Sequence, residues 1–197
     1  QNREALEVLV QLHRSGTSPS CSSFTSALLA CSNCGDYEVG RQIHSLVFKL
    51  GYQYNTYIGN GLISMYAKSK NMEVSSLAFS SMSERDIVSW NSLIIGFSEN
   101  DMLDCALKTF LKMPKHNTVS WNSMLAAYVQ AGEGEFACQL FLDMLGQDVK
   151  QSELTFPYLL SVCGSLCAVK LGKQIHALIF KLGWASHLFV GSGLINM

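Results

Sequence analysis

The stretch RQIHSLVFKLG at 41–51 returns as KQIHALIFKLG at 173–183, an offset of 132 residues. A second near-duplicate lies between these copies, VSWNSLI at 88–94 and VSWNSML at 119–125, with an offset of 31. A chain that repeats itself at fixed intervals is built by stacking one supersecondary unit. We therefore expect a repeat architecture, in which function comes from equivalent positions lined up along a surface rather than from one pocket.

Matching the chain to itself at these two offsets divides it into repeats of 35 or 31 residues, with a partial repeat at each end. The predicted boundaries are 1–20 (partial), 21–55, 56–86, 87–117, 118–152, 153–187 and 188–197 (partial). We expect these repeats to form one continuous stack across residues 1–197.

Within each repeat the apolar residues follow a helical spacing. In 118–152, Met124, Leu125 and Tyr128 lie on one stripe of a first helix, and a second apolar stripe follows after Gly132. Gly132 is placed to end the first helix in a left-handed conformation. A strand would instead alternate every two residues. The predicted fold class is all-α, with two helices in each repeat and eleven or twelve helices in the chain.

The composition is that of a packed chain, with 48% hydrophobic residues, 15% charged residues and three prolines. No apolar run of 18 uncharged residues is present, which argues against a membrane span. Seven cysteines, an odd number, indicate reduced thiols rather than a disulfide framework. The net charge of −1 weakens any case for broad electrostatic attraction to nucleic acid.

The sequence carries no pattern that supports catalysis. It lacks a G-x-S-x-G motif, a phosphate-binding loop and the zinc deaminase signature, so we expect no catalytic residue, no cofactor and no enzyme activity. Cys31 and Cys34 with His44 resemble half a zinc site, but Leu166 replaces Cys34 in the equivalent repeat, so we expect no metal. Packing or a helix-terminal hydrogen bond is the expected use of His44 and its equivalent His176.

The string VSWN-SLI-GFSEN-ALKTFLKM and the companion repeat SFTSALLACSNCGDYEVGRQIHSLVFKLG resemble pentatricopeptide repeats, and the resemblance covers essentially the whole chain. More narrowly, they resemble the plant class that mixes long and standard 35-residue repeats with short 31-residue ones. Repeats 21–55 and 153–187 resemble the long type, 56–86 and 87–117 the short type, and 118–152 the standard type. Tetratricopeptide repeats differ, because they keep a uniform 34-residue period.

The resemblance implies a right-handed superhelical solenoid that binds single-stranded RNA, with one nucleotide per repeat. First helices line the concave face in this family, and Asn60, Asn91 and Asn122 recur there at the fifth position of their repeats. An asparagine amide offers both a donor and an acceptor to a base edge. The residues alone leave a second interpretation open, in which these asparagines are N-terminal helix caps.

In this family the last residue of each repeat helps to specify the base. The resulting pairs are Asn60 with Asp86, Asn91 with Asn117, and Asn122 with Ser152. By resemblance, asparagine with aspartate prefers uracil, asparagine with asparagine takes either pyrimidine, and asparagine with serine prefers cytosine. The predicted target is therefore pyrimidine-rich. The long repeats follow this code poorly, and Pro157, at the fifth position of one of them, has no side-chain donor or acceptor.

The second residue of each repeat is aliphatic in this family and packs against the plane of the base. Val88 and Val119 occupy this position here, and Tyr57 occupies it in 56–86, where an aromatic ring stacks more strongly. The alternative is that these three residues only pack at the start of a helix.

Mixed-length members of this family act in organelle RNA processing. The resemblance implies a specificity factor for C-to-U RNA editing, or for other RNA processing, in a mitochondrion or chloroplast. Editing-factor or ribonucleoprotein proteins are the implied protein partners, and no transit peptide is visible in the sequence. The alternative is a protein-interaction scaffold, or a subunit of an organelle ribonucleoprotein, that does not read RNA sequence. The near-neutral charge favours the scaffold, whereas the recurring asparagines with their paired repeat ends favour RNA binding.

Overall fold

A computed structural model describes residues 19–147, 149–165 and 169–196, together with Gln11 and Gly16. Within these residues the backbone forms eleven α-helices and no strand, which confirms the all-α prediction. The helices are α1 (Cys21–Cys34), α2 (Tyr37–Lys49), α3 (Thr56–Lys68), α4 (Met72–Ser81), α5 (Ile87–Glu99), α6 (Leu103–Lys112), α7 (Thr118–Gln130), α8 (Gly134–Gly146), α9 (Thr155–Ser165), α10 (Val169–Lys181) and α11 (Leu188–Asn196). Most of the predicted partial repeat 1–20 lies outside the described residues.

Odd-numbered helices are the first helices of the predicted repeats, and even-numbered helices are the second ones. Five of the first helices begin at the first residue of their predicted repeat, and α9 begins two residues after position 153. The chain divides into two compact units, Gln1–Leu111 and Lys112–Met197. The single continuous stack over all repeats stays a prediction.

The helices are short, with 14 residues in α1 and 9 in α11. A helix that crosses a bilayer needs about 20 residues. Among the described helices, none is long and apolar enough to span a membrane.

Polar side chains at the repeat boundaries determine where the first helices start. Asn55, Asp86 and Asn117 are the N-caps of α3, α5 and α7, and each side-chain oxygen accepts the backbone N–H three residues later. In α5 and α7 the donors belong to Ser89 and Ser120, whose hydroxyls accept the backbone N–H of the cap residue in return. A side-chain cap stabilises a helix by about 1 kcal/mol. The last residue of each of these repeats thus begins the first helix of the next one.

The core of the first unit lies between its first helices. Helix α3 packs against α1 on one side and α5 on the other, while α2 and α4 also contact it. Phe24 and Leu28 from α1, Ile63 and Met65 from α3, and Ile94 from α5 are fully buried. Burying each such side chain contributes about 1.5–3 kcal/mol to the stability of the unit.

The second unit is organised around α9, which packs against α7, α8, α10 and α11. The stripe predicted for α7 is confirmed, because Met124, Leu125 and Tyr128 are all buried. Gly132 adopts a φ of 77° just after this helix, as predicted. An L side chain is strained in that conformation, so glycine allows α7 to end there.

Two helical glycines provide a matched test of the packing. In Gly96→Ala the new Cβ would lie 2.7 Å from the Ala67 Cβ, because α5 and α3 approach closely at this point. In Gly146→Ala the new Cβ meets nothing within 4 Å. We expect Gly96→Ala to lower the free energy of unfolding by about 1–3 kcal/mol. Gly146→Ala should raise it by up to about 1 kcal/mol.

Urea unfolding followed by circular dichroism measures both changes. Two alanine variants of equal stability would show that the close approach of α5 to α3 is wrong.

Candidate nucleic-acid interface

The three recurring asparagines lie inside the first helices. Asn60, Asn91 and Asn122 are the fifth residues of α3, α5 and α7. The interpretation of these residues as helix caps is therefore wrong. Their backbone N–H groups lie within the helix, and the caps are the residues one position before each helix. The asparagine side chains are thus not needed to satisfy the free N–H groups of a helix start.

The structure places the side chains of Asn60 and Asp86, one of the predicted pairs, in contact. The Asn60 Nδ2 donates a hydrogen bond to the Asp86 Oδ1 over 3.2 Å. The same oxygen accepts the Ser89 backbone N–H at 2.8 Å and the Ser89 hydroxyl at 2.9 Å. The Asn60 Oδ1 is buried and has no hydrogen-bond partner among the described residues. Asp86 is therefore both the cap of α5 and the partner of Asn60.

Hydrogen bonds lower the pKa of Asp86. Burial raises the pKa of its carboxyl group, but hydrogen bonds from the Ser89 backbone and hydroxyl and from the Asn60 side chain outweigh this effect. The net result is a pKa below the ordinary value, so Asp86 is a carboxylate at neutral pH. A carboxylate only accepts hydrogen bonds, and Asn60 must therefore turn its NH₂ group toward it.

Asn122 and Ser152 also lie together, and here a third side chain joins them. The Asn122 Nδ2 donates to the Ser152 Oγ at 3.0 Å. The Thr155 hydroxyl donates to the Asn122 Oδ1 at 2.9 Å and accepts the Ser152 backbone N–H at 3.1 Å. Both ends of the Asn122 amide are thereby hydrogen-bonded.

Asn91 is the least satisfied of the three asparagines. It is only 6% exposed, and its Oδ1 has no hydrogen-bond partner among the described residues. Its predicted partner, Asn117, belongs to the second unit, where it caps α7. A buried oxygen without a partner costs about 1–3 kcal/mol, and each such group in a native structure needs an explanation.

The predicted stacking residues lie on the surface. Tyr57, Val88 and Val119 are 74%, 53% and 51% exposed, so at least half of each side chain is accessible beside the start of its helix. Two further residues at the second position, Leu154 and Phe189, are also exposed apolar side chains, and neither is among the predicted stacking residues. Extending the second position through 153–187 and 188–197 would have identified both. Every described repeat from Tyr57 onward thus presents one apolar side chain at the start of its first helix.

The first long repeat does not form a pair of this kind. The Thr25 hydroxyl donates to the Ser22 carbonyl in its own helix. The side chain of Asn55, the last residue of this repeat, contacts the Cys21 sulfur and caps α3. No hydrogen bond joins Thr25 to Asn55 within the described residues.

The second long repeat offers space in place of a polar contact. An open cavity of about 340 Å³ lies beside Pro157 in the second unit. The other side chains that line it are small or aromatic: Ser161, Ser165, Phe189 and Ser192. A base has room there, but Pro157 cannot form a hydrogen bond with its edge.

The cysteines of the C-x-x-C pattern differ in their surroundings. Cys31 is buried and Cys34 is exposed. Burial raises the pKa of the Cys31 thiol to about 11, and Asp36 and Cys34 add to the effect. Metal ligation requires a thiolate, which this environment disfavours. Among the described residues, no group of three or more His, Cys, Asp or Glu side chains is placed to hold a metal ion. Leu166 lies outside the described residues.

The two equivalent histidines make different contacts. The His44 Nδ1 forms a 2.8 Å hydrogen bond with the Tyr66 hydroxyl, and burial lowers the pKa of His44. His176 is exposed and lies against the Phe180 ring, with 5.2 Å between the ring centroids. The hydrogen bond of His44 therefore joins α2 to α3 rather than satisfying a helix terminus, whereas His176 contacts an aromatic ring of its own helix.

Comparison with known proteins finds matches to one repeat family over part of the chain. The model of the PPR repeat family matches residues 116–165, and that of the PPR repeat matches residues 88–118. Two mitochondrial pentatricopeptide repeat-containing proteins of Arabidopsis thaliana are 33% identical over 88% of this chain and 28% identical over 98% of it. The chain spans 24% and 16% of the lengths of these two relatives. The matches support a pentatricopeptide repeat protein.

Solved structures show the same fold. The crystal structure of the pentatricopeptide repeat protein PPR10 from maize has a TM-score of 0.65, with 96% of this chain and 28% of that chain covered. PPR10 in complex with an 18-nucleotide psaJ RNA element has a TM-score of 0.74, with 94% and 28% covered. Both are 18% identical to this chain. The likeness establishes the fold of helix-turn-helix repeats.

Replacing the asparagines with leucine tests the difference in their hydrogen bonding. Asn91→Leu removes a buried oxygen that has no partner, so we expect an unchanged or higher free energy of unfolding. Asn122→Leu leaves the Thr155 hydroxyl without its acceptor, and we expect a loss of about 1–3 kcal/mol. Urea unfolding of both variants gives the comparison. A larger loss for Asn91→Leu would contradict the hydrogen bonding described for the two sites.

Proposed function

We propose that this pentatricopeptide repeat protein binds single-stranded RNA in a base-selective way, with one nucleotide facing each repeat. The observation that carries the proposal is the hydrogen-bonded pair formed by the fifth and the last residue of a repeat. Asn60 meets Asp86 across 26 positions of sequence, and Asn122 meets Ser152 across 30. A scaffold that ignores RNA sequence needs the caps but gains little from these polar pairs, one of which leaves a buried oxygen without a partner.

The exposed apolar side chains supply a surface for the flat faces of the bases. In the first unit Tyr57 and Val88 are the second residues of consecutive first helices, and in the second unit Leu154 directly precedes α9 while Phe189 is the second residue of α11. Helices that pack together lie about 8–10 Å apart. A base that makes an apolar contact of roughly 3.5–4 Å on each of its two faces needs a similar spacing between the side chains on either side of it. Stacking on an aromatic side chain contributes about 1–3 kcal/mol per base.

Uracil suits the pair of Asn60 and Asp86. One Asn60 N–H is bonded to Asp86, which leaves the other N–H for an acceptor oxygen of a pyrimidine. The Asp86 carboxylate accepts hydrogen bonds, and the N3–H of uracil is a donor. The N3 of cytosine carries a lone pair, so it would face the carboxylate unfavourably.

Cytosine suits the pair of Asn122 and Ser152. The Ser152 hydroxyl accepts from Asn122, and its own proton has no acceptor among the described residues. This proton is available to the N3 of cytosine, which is an acceptor.

Asn91 and Asn117 each carry an amide, which donates and accepts, and so we propose that they take either pyrimidine. In this family the RNA runs 5′ to 3′ along the chain from its N-terminus, so we propose that the three repeats select uracil, a pyrimidine and cytosine in that order.

For the whole protein we propose a role as a specificity factor in an organelle, either for C-to-U RNA editing or for other RNA processing. The alternation of 35- and 31-residue repeats supports the mixed-length class that performs such work. Two relatives carry the word mitochondrial in their names, which supports a mitochondrion over a chloroplast. Editing-factor or ribonucleoprotein proteins are the protein partners of this proposal.

One observation favours a scaffold that does not read RNA. The net charge of −1 differs from the basic surplus that usually accompanies phosphate binding. A scaffold would bind RNAs of different sequence equally, or none of them. Affinities for RNAs that differ by a single base therefore distinguish the two functions.

Exchanging the last residues of two repeats tests the reading pairs. Asp86→Asn should turn a uracil preference into acceptance of either pyrimidine, because an amide both donates and accepts. Asn117→Asp should give the neighbouring repeat a uracil preference that it lacks in the wild type. A good side-chain contact to a base provides about 1–3 kcal/mol of discrimination, so we expect changes of about tenfold in relative affinity. Affinities for RNAs that differ at one nucleotide measure both.

The same two variants also control for changes in stability, because Asp86 and Asn117 are both helix caps. Aspartate and asparagine cap equally well, so the unfolding midpoints should change little. Folded variants that rank the RNAs as the wild type does would contradict the proposed reading.

Asn91→Thr tests the fifth position. Threonine with asparagine prefers adenine in this family, so the preferred base at that nucleotide should change from a pyrimidine to adenine. The nucleotides read by Asn60 and Asn122 should keep their preferences. Four RNAs that differ only at the central nucleotide are sufficient, and an unchanged ranking in a folded variant would exclude base reading by Asn91.

A further inference from the structure

We propose that Thr155 is a positioning residue for base selection by the preceding repeat. It is the third residue of 153–187, and it orients the amide of Asn122 in 118–152. This inference rests on the proposed function and deepens it, because it makes base choice at one repeat depend on a residue of the next.

The burial of Thr155 determines where its hydroxyl proton goes. The residue is fully buried, and its hydroxyl oxygen accepts the Ser152 backbone N–H at 3.1 Å. A hydroxyl has one proton, and a buried donor without an acceptor is costly. The Asn122 Oδ1, 2.9 Å away, is the acceptor. The amide oxygen of Asn122 is thereby held toward Thr155, and its NH₂ group is held toward Ser152.

Ser152 cannot fix this orientation by itself. Its hydroxyl is able to donate as well as accept, so it would satisfy either end of the Asn122 amide. The situation at Asn60 is different, because the Asp86 carboxylate accepts only and therefore selects the NH₂ group. The repeat with a neutral last residue thus needs another side chain to orient its asparagine, and Thr155 occupies the required place.

The third residues of the two preceding repeats show the contrast. Ser89 and Ser120 are also fully buried at the third helical position. The Ser89 hydroxyl donates to the Asp86 Oδ1 at 2.9 Å, and the Ser120 hydroxyl donates to the Asn117 carbonyl at 2.8 Å. Both protons are used at the helix cap, and neither reaches an asparagine at the fifth position of the preceding repeat.

The orientation matters because of what the amide presents to a base. With its oxygen bonded to Thr155, Asn122 has one N–H left for the O2 or N3 acceptor of cytosine. Without the Thr155 hydroxyl, rotation of the amide by 180° would present an acceptor instead. Repulsion from the acceptors of cytosine would then replace a hydrogen bond, and the preference for cytosine over uracil would fall.

Three variants of the whole chain test this inference. Thr155→Val keeps the shape of the side chain and removes the hydroxyl. Its preference for cytosine over uracil at the nucleotide read by Asn122 should fall from about tenfold to within about twofold. Thr155→Ser keeps the hydroxyl and should retain the preference. Ser120→Ala removes a buried hydroxyl at the third position of the preceding repeat, and it should cost stability without changing the preference read by Asn122.

The outcomes separate this inference from the function on which it rests. A folded Thr155→Val, or Thr155→Ala if the valine variant does not fold, that keeps the wild-type preference would overturn the inference alone. A wild-type chain without base preference at any position would overturn the proposed function as well.

A measurement on the wild type is independent of every variant. The Asn122 side-chain amide should be as rigid as the backbone in NMR relaxation, with an order parameter of about 0.85, and a freely reorienting amide would overturn the inference.

Discussion

Asp86 begins helix α5 by accepting the backbone N–H of Ser89, and the same carboxylate oxygen accepts the side-chain amide of Asn60. The residue that starts one helix is thereby attached to the first helix of the preceding repeat. Because the cap is the last residue of its repeat, the boundary between repeats, the start of the helix and the candidate base contact coincide. Ser152 is likewise the last residue of its repeat, and it meets Asn122 and the buried hydroxyl of Thr155, the residue at which α9 begins.

Near the polar pairs are two features that lower the stability of the fold and that folding alone does not explain. The side-chain oxygens of Asn60 and Asn91 are buried without partners among the described residues. Apolar side chains such as Tyr57 and Phe189 remain exposed at the starts of first helices. Violations of this kind are expected at functional sites, where stability is given up for binding. An RNA strand would satisfy both, since its bases offer polar edges and flat apolar faces.

The fold could be predicted from the sequence because internal duplication places the same helical stripe in every repeat. The distinction between a cap and a reading residue was harder, since asparagine suits both, and only the position of the helix start assigns the cap to Asn117 rather than Asn122. The contact of Thr155 with Asn122 could not be predicted, because it depends on which of several acceptors a buried hydroxyl reaches. Leu154 and Phe189 were predictable from the repeat length, because they occupy the second position of 153–187 and 188–197.

The most direct test of the account is selection of single-stranded RNA from a randomised pool by the intact chain, followed by sequencing of the bound fraction. The account predicts enrichment of three adjacent positions in the order uracil, pyrimidine, cytosine from 5′ to 3′. The enrichment should persist as salt is raised, while the overall affinity falls through the loss of phosphate contacts. A bound fraction with the base composition of the starting pool would contradict the claim that the hydrogen-bonded pairs read bases.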